Sequence, residues 1–320
     1  MSRYLVTGGA GFLGSHLVDA LIKKGQVVVL DNLFRGNSDN LKLHLDKPSF
    51  SFIKGDILKP SDVNRAIKDV DVVFHLAAIN GTRYFYERPL EVLSVNAVGT
   101  KNVLDAAFDH QVKTLVFAST SEVYGHSNAF PTPETARTIF DAPTVTKWSY
   151  AVSKLYGEHL CLAYYKSRDL PIVILRYFNT YGPRLIGTPY GQVVSMFINR
   201  LIKGKKIEVY GNGEQTRSFA YVEDTIRATV RASEVKSVIG EVLNIGSQEE
   251  VSINQLAFRI AELMGKKPEK FAVHKEALEG DVRRRLPDLS KAKRLLGFRP
   301  RVSLEEGLKK TIDWFRRNTE

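Results

Sequence analysis

Thr7-Gly8-Gly9-Ala10-Gly11-Phe12-Leu13-Gly14 follows an apolar run at residues 4–7 and opens a stretch of helical spacing over 12–24. Each of the glycines at 8, 11 and 14 has a physical use. Gly8 permits a tight turn, Gly11 lets the backbone approach a pyrophosphate with no Cβ in the way, and Gly14 allows a helix to pack closely on a sheet. The helix start at Phe12 and Leu13 offers free N–H groups and partial positive charge to that anion. Asp31 closes the second apolar run, 17 residues after Gly14, where an acceptor meets the hydroxyls of an adenine ribose. Loop and acid together predict a dinucleotide site. A carboxylate there repels a 2′-phosphate, so NAD is expected rather than NADP, with the nearby Arg35 arguing the other way. Asn32 is counted with this site. So are Asp56 and Ile57 after the third run, Asp56 either against the adenine or capping the next helix.

Outward from this loop the chain alternates. Short runs rich in Val, Ile and Phe at 27–30, 52–53, 72–75, 115–119 and 172–176 read as strands buried on both faces. Helical spacing at 61–68, 91–110 and 148–167 falls between them. The alternation predicts an α/β chain with a Rossmann-type, doubly wound parallel sheet. Beyond residue 176 it loosens around Gly182-Pro183, Gly187, Pro189, Gly211 and Gly213. Candidate helices at 193–203, 222–234, 253–264, 289–296 and 304–317, with strands at 207–210 and 242–245, predict a smaller C-terminal substrate-binding lobe. The expected division is 1–176 for the dinucleotide and 177–320 for the substrate, with interleaved elements and a cleft between.

With 320 residues, 43% hydrophobic and 25% charged, the chain can bury a full core, which excludes a disordered tail or a small stapled domain. Its single cysteine, Cys161, closes no intrachain disulfide, so the cytoplasm is expected. The N-terminus does not read as a signal peptide and no run approaches about 18 apolar residues, so no membrane partner is expected. Of the net charge of +11, the last 55 residues hold +7, 16 basic against nine acidic. Those basic residues are interrupted by carboxylates and set among helix-periodic apolar positions. That pattern predicts a solvated helix face and an anionic-ligand site, not a nucleic-acid partner. No metal is expected.

Tyr150 and Lys154 stand four apart, hence on one helix face. A free phenol has a pKa of about 10, and a neighbouring cation favours the phenolate, so such a pair can serve as a base near neutrality. Ser119-Thr120-Ser121-Glu122 comes after the fifth run, at the end of a parallel sheet where an open α/β fold binds its ligand.

TGGAGFLG at 7–14, HLAA at 75–78, STSEVYG at 119–125, YAVSK at 150–154 and RYFNTYGPR at 176–184 resemble the extended short-chain dehydrogenase/reductase family. The similarity runs essentially end to end, and within the family it is to NAD-dependent nucleotide-sugar epimerases, dehydratases and decarboxylases. The resemblance implies that Thr120 bonds the sugar 4-hydroxyl, Tyr150 removes its proton, and Lys154 holds the nicotinamide ribose and lowers the tyrosine pKa. It also implies that Leu76, Ala77 and Ala78 line the dinucleotide and that Asn96 supports the site. Asn179, Gln192, Val193, Tyr210 and Arg217 are implied on the substrate side, Asn179 and Arg217 at its diphosphate.

Such enzymes begin alike, by oxidising sugar carbon 4, and differ in the bond that the ketone then activates. Glu122, two residues beyond Thr120, has a use in elimination or decarboxylation and little in epimerisation. Dehydratases resembling dTDP-glucose 4,6-dehydratase carry Asp-Glu after the threonine, whereas here Ser121-Glu122 stands, as in UDP-glucuronate decarboxylases and also GDP-mannose dehydratases. Asp281-Val282-Arg283-Arg284-Arg285 resembles the decarboxylase segment whose arginine, matching Arg285, faces the reacting carboxylate or supplies a proton. Arg83, in a loop expected over the sugar, could pair with a glucuronate carboxylate in a decarboxylase or a uronate 4-epimerase. UDP-glucuronate decarboxylation is the preferred reading. Alternatives are a 4-epimerase of UDP-glucose or UDP-glucuronate, a 4,6-dehydratase, and, in another class, a non-catalytic NAD-binding sensor. Apolar residues beyond one face of helices 91–110 and 148–167 predict a homodimer.

Overall fold

Neighbouring residues along each central strand feed two different cores. Leu5, Val28, Val73, Leu115 and Ile172 bury on one side of the sheet, while Val6, Val29, Phe74, Val116 and Val173 bury on the other. That period of two, apolar on both faces, is why the strands read as unbroken hydrophobic runs. Each such side chain contributes roughly 1.5–3 kcal/mol when fully buried.

The computed structural model describes residues 1–187, 192–267 and 272–318. Pro189, in the stretch where the alternation loosens, and the neighbouring Gly191 lie outside them. The first half runs β1 (Ser2–Thr7), α1 (Phe12–Leu21), β2 (Gly25–Asp31), β3 (Phe50–Lys54), α2 (Pro60–Ile67), β4 (Val72–His75), α3 (Thr82–Glu87), α4 (Pro89–Leu93), α5 (Gly99–Asp109), β5 (Thr114–Thr120), α6 (Trp148–Arg168) and β6 (Ile172–Tyr177). The second runs β7 (Thr180–Tyr181), α7 (Val193–Ile202), β8 (Ile207–Tyr210), β9 (Thr216–Ser218), β10 (Ala220–Tyr221), α8 (Val222–Glu234), β11 (Val242–Ile245), β12 (Glu250–Ser252), α9 (Ile253–Leu263), β13 (Ala272–Lys275), β14 (Arg284–Arg285), α10 (Ser290–Leu296) and α11 (Leu304–Asn318).

Seven parallel strands form one sheet in the order β11-β6-β5-β4-β1-β2-β3. The order reverses between β1 and β4, which opens a crevice at their carboxyl ends where an open α/β sheet takes its ligand. The fold is the expected Rossmann-type α/β sheet. β11 and α8 lie beyond residue 176 yet join this sheet and pack on α1 and β6, so the chain crosses back after leaving it. Among the described residues three small sheets stand outside it, β7 with β10, β8 with β13, and β9 between β12 and β14, backed by α7, α9 and α11.

The spacing predicts one helix over 91–110. The structure instead runs α4, a π-helical turn at Ser94–Val98 and α5 end to end. The widened turn carries Asn96, in keeping with the habit of π turns to mark functional positions. None of the described helices is long and apolar enough to cross a membrane.

Candidate active site

A cavity of about 530 Å³ runs along the carboxyl edge of the sheet, from the β1–α1 loop to the end of β5. Gly8 turns with φ +72°, and a Cβ on Gly14 would fall 2.1 Å from the Gly8 carbonyl, so both positions require glycine. A Cβ on Gly11 would meet only that carbonyl, at 3.2 Å, and otherwise stand in open space. No side chain caps the first turn of α1, which leaves its N–H groups for an anion.

Asp31 accepts the Ala10 amide at 2.9 Å and the Leu33 amide at 2.8 Å, one on each oxygen. Each oxygen keeps a lone pair for a ribose hydroxyl. Burial pushes the carboxyl upward, and these two amides pull against it. Asp56 lines the cavity beside Ile57 and Asn32, and its Oδ1 accepts the Leu58 amide at 2.9 Å in the turn before α2, whose N-cap is Lys59 with no side-chain cap. Asn32 Nδ2 donates to Asp56 Oδ2 at 3.1 Å. Gly8, Gly11, Phe12, Leu13 and Gly14 at one end, with Leu76, Ala77 and Ala78 midway, complete this wall. An uncrowded glycine cradle, an uncapped helix start and a ribose acceptor fit NAD, and NAD is the cofactor of this chain.

Beneath Leu76–Ala78 lies a device the sequence reading missed. His75 Nδ1 meets Thr7 Oγ1 at 2.7 Å, and its Nε2 meets Thr100 Oγ1 at 3.0 Å. Thr100 spends its proton on the Asn96 carbonyl, so His75 carries its proton on Nε2 and Thr7 donates to Nδ1. Thr7 in turn accepts the Ala77 amide at 3.2 Å. Asn96 stays behind the wall, holding the Ile79 backbone and Ser153 Oγ.

At the other end, Thr120 closes β5 and Tyr150 rises from the first turn of α6. Burial pushes the Tyr150 phenol upward and the charge of Glu122 adds to this, while hydrogen bonding with Thr120 and the Arg35 guanidinium pull it down. The resemblance assigns that last effect to Lys154. Here the Lys154 ammonium donates to the Ala118 carbonyl at 2.7 Å, and burial brings it down to about 8. Arg35 lies over the Tyr84 ring, 5.6 Å from its centroid, and lines the cavity.

Glu122 faces the cavity and is ion-paired with Arg285, which is 4% exposed. Burial alone would raise the Glu122 carboxyl, but Arg285, with Lys147 and Arg217 beyond, holds it at about 2. Arg285 Nε and Nη2 are buried without a hydrogen-bond partner. Arg217 stands beside Arg285 in the β9–β14 register and donates to Asp281 Oδ1 at 2.8 Å.

Ser121, Asn179 and Gln192 line the cavity, Gln192 just ahead of α7. Val193 begins that helix and Tyr210 ends β8, giving its carbonyl to Gln215 Nε2; neither is among the lining residues. Arg83 is turned outward, 52% exposed, and pairs with Glu87 one turn along α3. On that short helix positions 82 and 85 line the cavity, whereas Arg83 is not among the lining residues.

A family model described as "NAD dependent epimerase/dehydratase family" matches residues 4–246. The chain is 41% identical over 320 residues to a UDP-N-acetyl-alpha-D-glucosaminuronate decarboxylase of Bacillus cytotoxicus, covering 98% of each. It is 39% identical to UDP-glucuronic acid decarboxylase 1 of Xenopus tropicalis, over 99% of this chain and 73% of that one. A crystal structure of UDP-glucuronic acid 4-epimerase from Bacillus cereus, in complex with UDP-glucuronic acid and NAD, is similar with a TM-score of 0.90 at 36% identity, over 98% of this chain and 99% of that one.

Proposed function

Because the chain belongs to the NAD dependent epimerase/dehydratase family, we propose that it decarboxylates a UDP-hexuronate, with UDP-glucuronate the first candidate, through a transient 4-keto sugar. Arg285 carries this reading. One arm of its guanidinium is committed to Glu122, while Nε and Nη2 are two buried donors without a partner, in the fork spacing that meets a carboxylate. The decarboxylase relatives support the same choice. Ser121, where dehydration wants an acid for the leaving hydroxyl, speaks against a 4,6-dehydratase.

When bound, NAD supplies a reversible hydride acceptor for sugar carbon 4. Tyr150 takes the 4-hydroxyl proton, with Thr120 aligning that hydroxyl to the phenol. The resulting ketone lies β to the carboxylate that Arg285 holds. The bond between carbons 5 and 6 then breaks, carbon dioxide leaves, and its electron pair enters an enolate across carbons 4 and 5. Arg285 passes carbon 5 its proton and regains one from water, the adjoining Glu122 carboxylate favouring the recharged guanidinium. Tyr150 returns its proton to oxygen 4 as the alcohol re-forms. Lys154 orients the nicotinamide ribose, and Asn179, Gln192 and Arg217 hold the UDP.

The likeness to the Bacillus cereus epimerase favours one second reading, 4-epimerisation of the same uronate. Incubation of purified protein with UDP-glucuronate and UDP-N-acetylglucosaminuronate, with mass spectrometry of the products, separates the two. A product lighter by carbon dioxide supports decarboxylation, and an unchanged mass with altered retention supports epimerisation. Tyr150→Phe is expected to abolish either. We also propose a homodimer. Exposed Leu90, Leu93 and Val98 before and at the start of α5, with Val152 and Tyr156 on α6, support pairing of these helices between two copies. Light scattering checks it. One buried cysteine, Cys161, suits a reducing cytoplasm.

A further inference from the structure

Lys147 ends the loop that leads into α6, three residues before Tyr150, and is 8% exposed. Its Nζ donates to the Gly280 carbonyl and lies over the Trp148 ring, 4.8 Å from the centroid. The carboxylate it approaches is Asp281, at 4.0 Å, and that group already holds Arg217 at 2.8 Å and the Val282 amide at 2.9 Å. A lysine is rarely buried unless paired. Here the carbonyl needs only a donor, which a neutral side chain could supply, and the positive charge has only a distant hold on Asp281 and Asp141, with Glu122 also in its field.

That charge joins a cluster. Arg285 pairs with Glu122, and Arg217 sits beside Arg285 across β9 and β14. Lys147, Arg217 and Arg285 therefore stand as three cations behind Glu122, which alone of the group lines the cavity, with Asp281 between Lys147 and Arg217 and Asp141 at the outer side of Lys147. Buried positive charge is costly in the free protein, and the cost is offset when an anion arrives.

We propose that Lys147 is a specificity-determining positioning residue: its charge, acting through the Glu122, Asp281, Arg217 and Arg285 cluster, makes the site prefer a nucleotide sugar with a carboxylate on its ring over the neutral hexose counterpart. The inference rests on the uronate reading and adds the residue that sets the preference. A role confined to pinning the 280–281 turn would weaken both ligands alike.

The test measures dissociation constants of UDP-glucuronate and UDP-glucose by calorimetry on NAD-loaded Tyr150→Phe protein, which binds without turnover, alone and carrying Lys147→Gln, Lys147→Met or Lys147→Arg. The neutral variants should bind UDP-glucuronate about tenfold more weakly, the scale of one charge several ångströms away at intermediate dielectric. Their affinity for UDP-glucose should stay within about threefold, and Lys147→Arg should keep the preference of the parent Tyr150→Phe protein. Equal loss for both sugars, or no loss for either, overturns the inference. So does failure of both neutral variants to fold while Lys147→Arg folds, since the charge is then structural. If the parent Tyr150→Phe protein itself shows no preference for the uronate, the functional reading fails; if that preference persists in Lys147→Gln, only the role of Lys147 does.

Discussion

Phe85 lies flat on Tyr150, with ring centroids 4.7 Å apart and planes 6° from parallel. Both rings are about 5% exposed, so the stack holds the phenol in one orientation and keeps water from its face. Phe85→Leu keeps apolar volume and removes the flat partner. Stacked pairs are worth about 0.5–1.5 kcal/mol beyond buried area, so kcat should fall roughly 2–10-fold with KM nearly unchanged. Phe85→Ala should in addition cost about 3–5 kcal/mol of stability. Steady-state kinetics and thermal melting on both variants separate the effects; a leucine variant with wild-type kcat would show that the stack does not orient the base.

Asp31 combines two tasks that one substitution can expose. Asp31→Ala removes the acceptor of the Ala10 and Leu33 amides and the ribose acceptor together. Hydrogen bonds to a charged group are worth about 1.5–3 kcal/mol, so NAD affinity should drop roughly 10–100-fold. Loss of the negative charge should also narrow the gap between NAD and NADP. Calorimetric titration of apoprotein with each dinucleotide measures both, and an unchanged ratio of the two affinities would contradict the charge argument.

How much the sequence disclosed depends on the range of each interaction. The glycine loop, Asp31 and the Tyr150–Lys154 pair are defined by spacing within one turn or one strand–helix unit, and local spacing is what a sequence records. Phe85 against Tyr150, Lys147 against Gly280, and His75 between Thr7 and Thr100 join residues far apart in the chain. Thr7 and His75 stand in the quoted motifs, but no spacing along the chain records which of these residues meet. Arg83 shows the opposite case. Its charge suited a carboxylate, but residues 83 and 87 share a helix face and pair with each other there.

Arg285 sets the sign of the Glu122 titration. In the wild-type protein the folded carboxyl sits at about 2, below its usual 4.5, so its stabilisation is present above pH 4.5 and is lost as pH falls toward 2. Arg285→Met removes the largest opposing influence on a group that burial pushes upward. The Glu122 carboxyl should then rise above its wild-type position, and its stabilising contribution near neutral pH should shrink or reverse. Melting temperatures of wild type and Arg285→Met between about pH 4 and 8 should therefore diverge as pH rises. Parallel curves would mean that the pair does not govern this titration. Decarboxylation should fall by at least about a hundredfold in the same variant, the range for loss of a positioned proton donor.

His75 makes the floor of the dinucleotide site acid-sensitive. Burial, with the Lys154 charge behind it, lowers the imidazole from 6.5 to about 3. The unfolded chain therefore binds a proton between those values that the folded chain refuses. Stability is fully present above about pH 6.5 and declines as pH falls toward 3, by up to about 1.4 kcal/mol per pH unit for one such group. His16, lowered by burial to about 4 and bonded to the Pro183 carbonyl, adds a second contribution over much of the same window. His75→Gln removes one of the two. Its denaturant-unfolding free energy should be lower than wild type at pH 7, because Thr7 and Thr100 lose their shared partner, yet it should fall less steeply between pH 6.5 and 5. The same loss should loosen the Ala77 amide from Thr7 and weaken NAD binding at pH 7. A wild-type slope in the variant would place the acid sensitivity elsewhere, with His16→Gln as the next substitution to measure.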